Sequence, residues 1–123
     1  MLVLVVEDDS DLRAALVEAL ENDGMAVALA RDGQDALDWL RGGLRPSVVL
    51  LDLLMPGIDG VGFRERQLRE EFADIPVVAM TGDFTRSEKL AELGFASVLR
   101  KPSRPEELVR VLREVAGSND PKV

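Results

Sequence analysis

Short apolar runs and stretches with helical apolar spacing alternate along the chain, five of each. Residues 2–6, LVLVV, form a continuous valine-rich run, the pattern of a strand buried on both faces. The stretch SDLRAALVEALENDG follows, with Leu12, Ala15, Leu16, Ala19 and Leu20 at helical spacing and Gly24 where a helix would stop. MAVALA predicts a second strand, and DGQDALDWLRGG a helix through Ala36, Leu37 and Leu40. SVVLLD predicts a third strand, DGVGFRERQLREEF a glycine-weakened helix, and PVVAM a fourth strand. TRSEKLAELG opens with Thr85 and Glu88 in capping-box spacing and predicts a helix. ASVLR predicts a fifth strand. SRPEELVRVLREVAG opens with Ser103 and Glu106 in the same spacing and carries Leu108, Val111, Leu112 and Val115 on one face.

Strands alternating with amphipathic helices imply right-handed crossovers and a parallel sheet covered on both faces. The expected fold is α/β, a five-stranded doubly wound sheet with five helices. Residues 1–117 read as one domain and residues 118–123 as a polar tail. Trp39 reads as packing on the second helix. The Arg64-Glu65-Arg66 and Arg69-Glu70-Glu71 runs read as a solvated helix face.

Composition narrows the chemistry. The 123 residues are 46% hydrophobic and 31% charged, with a formal net charge of -8. That balance disfavours direct nucleic-acid binding and binding to an anionic membrane. There are no cysteines and no histidines, which excludes disulfides, thiolate chemistry and any imidazole supplied by this chain. No apolar run approaches the ~20 residues of a membrane span, and the first apolar stretch lacks a basic leader. The cytoplasm is the expected location.

Ligands of doubly wound sheets sit beyond the carboxyl ends of the strands. Those ends carry Glu7-Asp8-Asp9, then Asp52, then Thr81-Gly82, and finally Lys101-Pro102. If the first, third, fourth and fifth strands are neighbours, carboxylates, a hydroxyl and an ammonium converge on one small site. The glycine-rich phosphate loops GxGxxG and GxxxxGK[ST] are absent.

The motifs LVVEDD, DG..AL, VVLLDLLMPGIDG, IPVVAMTG and VLRKPSRPEEL occur in that order across nearly the whole chain. Together they resemble the receiver domain of two-component response regulators. The resemblance implies a flavodoxin-like strand order 2-1-3-4-5. It also implies a partner histidine kinase or histidine phosphotransfer protein that donates a phosphoryl group to Asp52. Conformational switching and slow self-dephosphorylation follow, so the domain is mainly a signalling module. Met55-Pro56-Gly57 would turn the chain away from the site.

The resemblance implies Mg²⁺, with Mn²⁺ as a substitute. Asp8 and Asp52 would be direct ligands, Glu7 a ligand through water, and the backbone carbonyl of Leu54 a third protein ligand. Asp9 falls at a helix start, where an acid favours the positive end of the dipole. Two carboxylates about 4 Å apart repel by about 4 kcal/mol at an effective dielectric of about 20, and a hard cation relieves this. Thr81, Gly82 and Lys101 would bind the phosphoryl group. Leu12 and Ala15, at the start of the first helix, read as core residues bordering a partner-docking surface.

Two departures stand out. Receivers commonly carry Tyr or Phe three residues before the lysine, and here that switch position is Val98. The stretch between Thr81 and Lys101 is short, so the fourth helix is expected to be short or irregular. Two rivals remain: a pseudo-receiver that binds protein without phosphorylation, and a Mg²⁺-dependent aspartyl phosphohydrolase. Leu54, two residues after Asp52, is no acid, which counts against the hydrolase.

Overall fold

The computed structural model describes residues 1–54, 59–82, 87–101 and 103–119. Met55-Pro56-Gly57, Thr85 and Pro102 lie outside them, as do residues 120–123 of the tail. Ten elements alternate: β1 Leu2–Val6, α1 Ser10–Asn22, β2 Ala26–Ala30, α2 Gly33–Arg41, β3 Val48–Asp52, α3 Gly60–Gln67, β4 Val77–Thr81, α4 Ser87–Glu92, β5 Ser97–Arg100 and α5 Pro105–Asn119. The strands form one parallel sheet in the order β2-β1-β3-β4-β5.

Successive strand residues face opposite sides. Leu4, Val6, Val49, Leu51, Val77 and Ala79 enter one core with Ala36, Leu37 and Leu40 of α2, Phe63 of α3 and Leu90 of α4. Val3, Val5, Val48, Leu50, Val78 and Met80 enter the other with Leu16 and Leu20 of α1 and Leu108 and Leu112 of α5. Because both faces are covered, β1, β3 and β4 read as unbroken apolar runs rather than as alternation.

β2 is an open edge, and Trp39 protects it. The indole is 44% exposed, and its Nε1 donates to the Leu29 carbonyl at 2.7 Å. Trp39 therefore does more than pack on α2: it occupies an edge acceptor that another strand would otherwise use.

Two helix boundaries differ from the sequence pattern, and a third helix is as short as expected. α3 stops at Gln67 rather than running to residue 72. The Gln67 amide donates to the carbonyls of Phe72 and Ile75 and organises the turn that replaces the last helical residues. α4 spans six residues, the short helix expected. α5 begins at Pro105, so Ser103 is not its cap. The Ser103 hydroxyl instead donates to the Arg100 carbonyl at 2.7 Å, and Pro105 takes the first helical position, where a missing N–H costs nothing.

Arg64 is the largest correction to the pattern. It is 6% exposed, not part of a solvated face. Its guanidinium donates to the carbonyls of Leu93 and Gly94 and to Gln67 Oε1. Its Cζ lies 5.8 Å from the centroid of the Phe95 ring.

Candidate functional site: an acidic pocket at the carboxyl end of the sheet

Six of the described acids above the sheet divide into two groups. Asp9, Asp32 and Asp59 are helix caps. Asp9 accepts from the backbone of Asp11 and Leu12, Asp32 from Asp35, and Asp59 from Gly62. Glu7, Asp8 and Asp52 are not caps, and each offers one carboxylate oxygen within 4.8 Å of the others.

Asp52 ends β3 and is 1% exposed. Its Oδ1 accepts the Leu54 N–H at 3.1 Å, and its Oδ2 accepts Lys101 Nζ at 2.8 Å. Close approach of α3 keeps this corner tight. A Cβ on Gly60 would stand 2.5 Å from Leu53 Cα and 2.7 Å from the Asp52 carbonyl oxygen. Only a glycine fits there without moving backbone.

Glu7 follows β1, where its N–H still reaches the Ala30 carbonyl at 3.0 Å. The side chain is wholly buried. Oε2 accepts the Asp9 N–H at 3.2 Å. Oε1 lies 3.7 Å from Lys101 Nζ and is the buried side-chain oxygen left with no hydrogen-bond partner among the described residues. Burial first, then the nearness of Asp52, whose oxygens would accept from a protonated Glu7 and whose charge repels an ionised one, push the Glu7 carboxyl up to about 7. Burial acts to lower Lys101, but its hydrogen bond to Asp52 and the charges of Asp52, Glu7 and Asp8 prevail and raise it.

Thr81 ends β4 and is buried. Its carbonyl accepts the Lys101 N–H at 2.9 Å, which carries the lysine from the end of β5 toward Asp52. Gly82 is exposed, and a Cβ there would meet nothing within 4 Å. The side chain of Leu54 is 78% exposed beside Asp52. Val98 is half-buried, pairs with Ala79 and packs against the α2–α4 core with Phe95. On α1, Ala15 is exposed and Leu12 half-buried, so Ala15 is a surface residue rather than a core one. Leu12 lines an apolar cleft of about 340 Å³ with Leu16, Met80, Lys101, Ser103 and Leu108.

The donor set fits a hard divalent cation. All three candidate ligands are carboxylates with hard oxygen donors, and a buried carboxylate oxygen waits without a partner among the described residues. Two features here escaped the sequence pattern. Glu7 and Asp8 are adjacent, yet only Glu7 is buried. Arg13 donates from Nη1 to the Glu7 carbonyl at 2.9 Å, a contact that an i to i+6 spacing does not signal.

A parallel 2-1-3-4-5 sheet with an aspartate, a lysine and an acidic pair at its carboxyl end defines a phosphoryl-signalling class of domain. The chain belongs to the response regulator receiver domain family, whose profile matches residues 3–113. Among curated relatives, the response regulator MprA of Mycolicibacterium vanbaalenii is 38% identical over 121 residues, covering 97% of this chain and 52% of that protein. The chain thus spans about half the length of the curated relatives it matches. A putative response regulator from Chloroflexus aurantiacus superposes with TM-score 0.86 at 29% identity, covering 94% of this chain and 97% of the other. The receiver domain of a sensor histidine kinase from Pseudomonas aeruginosa superposes with TM-score 0.85 at 26% identity, with 94% and 97% coverage. That structure holds a magnesium ion in its active-site cleft. No helix among the described residues is long and apolar enough to cross a membrane.

Proposed function

We infer that Asp52 is the phosphoacceptor, with a histidine kinase or histidine phosphotransfer protein as donor. The observation that carries this is the buried Asp52 carboxylate bonded to Lys101 at 2.8 Å, with Glu7 and Asp8 oxygens within 4.8 Å. An Asp52 oxygen attacks the phosphorus of a phosphohistidine. The P–N bond breaks, its electron pair stays on the imidazole nitrogen, and an acyl phosphate forms on Asp52.

Asp8 and Asp52 directly, Glu7 through water, and the Leu54 carbonyl would hold Mg²⁺ or Mn²⁺, which supplies charge neutralisation for the phosphoryl oxygens. Lys101 is placed to exchange its bond with Asp52 for one with the transferred group. The Thr81 hydroxyl donates to a phosphoryl oxygen once one is present, and the open position at Gly82 leaves room for the group. The complete set Glu7, Asp8, Asp52, Thr81 and Lys101 favours phosphorylation over a constitutive binding module. The exposed Ala15 and half-buried Leu12 form the docking surface for the donor, on the side of the pocket where the apolar cleft meets Lys101.

Mass spectrometry after incubation with acetyl phosphate or a phosphorylated histidine kinase tests this reading. The wild type gains one phosphoryl group, and Asp52→Asn gains none, because an amide forms no acyl phosphate. Stoichiometric labelling of Asp52→Asn would sink the assignment.

A further inference from the structure

α1 grips the acidic turn after β1 at two points. The Asp9 carboxylate caps the helix through the N–H groups of Asp11 and Leu12. Arg13, half-buried on the same helix, donates from Nη1 to the Glu7 carbonyl at 2.9 Å, and its backbone N–H donates to the Asp9 carbonyl at 2.9 Å. The Glu7 N–H is bonded in turn to Ala30 of β2. The Glu7 carbonyl belongs to the peptide that joins Glu7 to Asp8. That unit is planar, so holding its oxygen constrains ψ of Glu7 and φ of Asp8 together. Arg13 therefore acts on both acids at once, through one peptide plane.

We propose that Arg13 is a positioning residue for divalent-cation binding, orienting Glu7 and Asp8 toward Asp52 through the Glu7–Asp8 peptide without touching the cation. This rests on the reading of Glu7, Asp8 and Asp52 as metal ligands. A small hard cation demands near-ideal ligand geometry, so a swing of this peptide displaces ligand oxygens that now lie within 4.8 Å of one another. A charged donor on a carbonyl is among the stronger hydrogen bonds, which suits a turn that must hold repelling carboxylates side by side.

The charge of Arg13 works in the opposite direction. A guanidinium on the acidic turn weakens the attraction of the carboxylates for a cation. Loss of Arg13 thus tightens Mg²⁺ binding if charge dominates and weakens it if positioning dominates. The sign of the change decides.

The test is a Mg²⁺ titration followed by the amide resonances of labelled protein, for wild type, Arg13→Met and Arg13→Lys. Urea unfolding without Mg²⁺ reports whether each variant folds. Arg13→Met is expected to raise the Mg²⁺ Kd by about tenfold, the usual effect of losing a group that orients a ligand. Arg13→Lys keeps the charge and one donor head but loses the fork, and its Kd is expected to fall between the two. A folded Arg13→Met that binds Mg²⁺ as tightly as wild type, or more tightly, overturns the proposal. If Arg13→Met does not fold, Arg13→Lys decides by itself: its charge is unchanged, so a raised Kd reports lost geometry and an unchanged Kd overturns the proposal. Wild-type protein that binds no Mg²⁺ would overturn the ligand assignment itself, a result distinct from a variant that matches a binding wild type.

Discussion

Arg64 of α3 donates from Nε to the Leu93 carbonyl, just past the end of α4, at 2.9 Å, with the guanidinium almost wholly buried. Nη2 adds the Gly94 carbonyl at 3.0 Å. One side chain thus ties α3 to the corner between α4 and β5. Burial lowers the Arg64 pKa from its ordinary value; carbonyl and amide oxygens, rather than a carboxylate, receive its hydrogen bonds. Arg64→Met leaves the Leu93 and Gly94 carbonyls and Gln67 Oε1 without that donor. The expected destabilisation is about 3 kcal/mol, against about 0.5 kcal/mol or less for the exposed Arg66→Met. Urea unfolding of the two variants measures the difference, and equal effects would refute the clasp.

The acids after β1 separate by role. Asp8→Ala should abolish Mg²⁺ binding and Mg²⁺-dependent labelling of Asp52. Asp9→Ala removes the cap of α1 and should cost about 1 kcal/mol of stability while leaving labelling in place. Titration, labelling and unfolding on both variants check the pair. Labelling lost in Asp9→Ala and kept in Asp8→Ala would reverse the assignment.

Glu7 predicts a pH dependence. Its folded value of about 7 lies above its ordinary 4.5, so the native state binds the proton more tightly than the unfolded chain. The stabilisation is fully present below pH 4.5 and is lost as pH rises through about 7. Its size is at most on the order of 3 kcal/mol. Without Mg²⁺, the protein should weaken between pH 5 and 8 by more than Glu7→Gln does. Mg²⁺ should restore wild-type stability most at the alkaline end, where it meets an ionised carboxylate. Urea midpoints across that range, with and without Mg²⁺, test the sign.

Two glycines near Asp52 should respond differently to one added methyl group. Gly60→Ala drives a Cβ against backbone at 2.5 Å and should destabilise by about 2 kcal/mol or more. Gly82→Ala meets nothing within 4 Å and should leave stability within about 0.5 kcal/mol of wild type. Thermal or urea unfolding compares them directly.

Val98 shapes the expected response to phosphorylation. It is β-branched and restricted at χ1, with no ring to move between an exposed and a buried position. Arg64 meanwhile pins the neighbouring corner at Leu93 and Gly94. A ligand shifts a population only by binding one state better, and a valine offers little differential packing. Beryllofluoride, standing in for the phosphoryl group, should perturb amides near Asp52 and Thr81 strongly and residues 98–112 weakly. Large concerted shifts across 98–112 would mean that another group performs the switch, with Phe95 the first candidate.

Much of this molecule was legible in one dimension because its determinants are local. The runs LVLVV, SVVLLD and PVVAM mark strands buried on both faces, and glycines mark where α1 and α2 end. Ordered motifs across the chain placed Asp52, Asp8, Thr81 and Lys101 at strand ends, and the sheet order followed from the family resemblance rather than from the pattern itself. Distance decided the rest. Whether Arg64 is solvated or buried depends on the carbonyls of Leu93 and Gly94, some 30 residues away, so a charged run on a helix looked like an exposed face. Glu7 and Asp8 are chemically alike and adjacent; only the packing of β1 between β2 and β3 buries one and leaves the other in solvent. Capping spacing at Ser103 and Glu106 lost to Pro105, whose ring starts the helix two residues later. The requirement for glycine at position 60 and the grip of Arg13 on the Glu7 carbonyl exist only once α3 and α1 close onto the ends of β3 and β1. Periodicity encodes which face of an element is apolar; which polar group meets which carbonyl is settled by the approach of elements far apart in the chain.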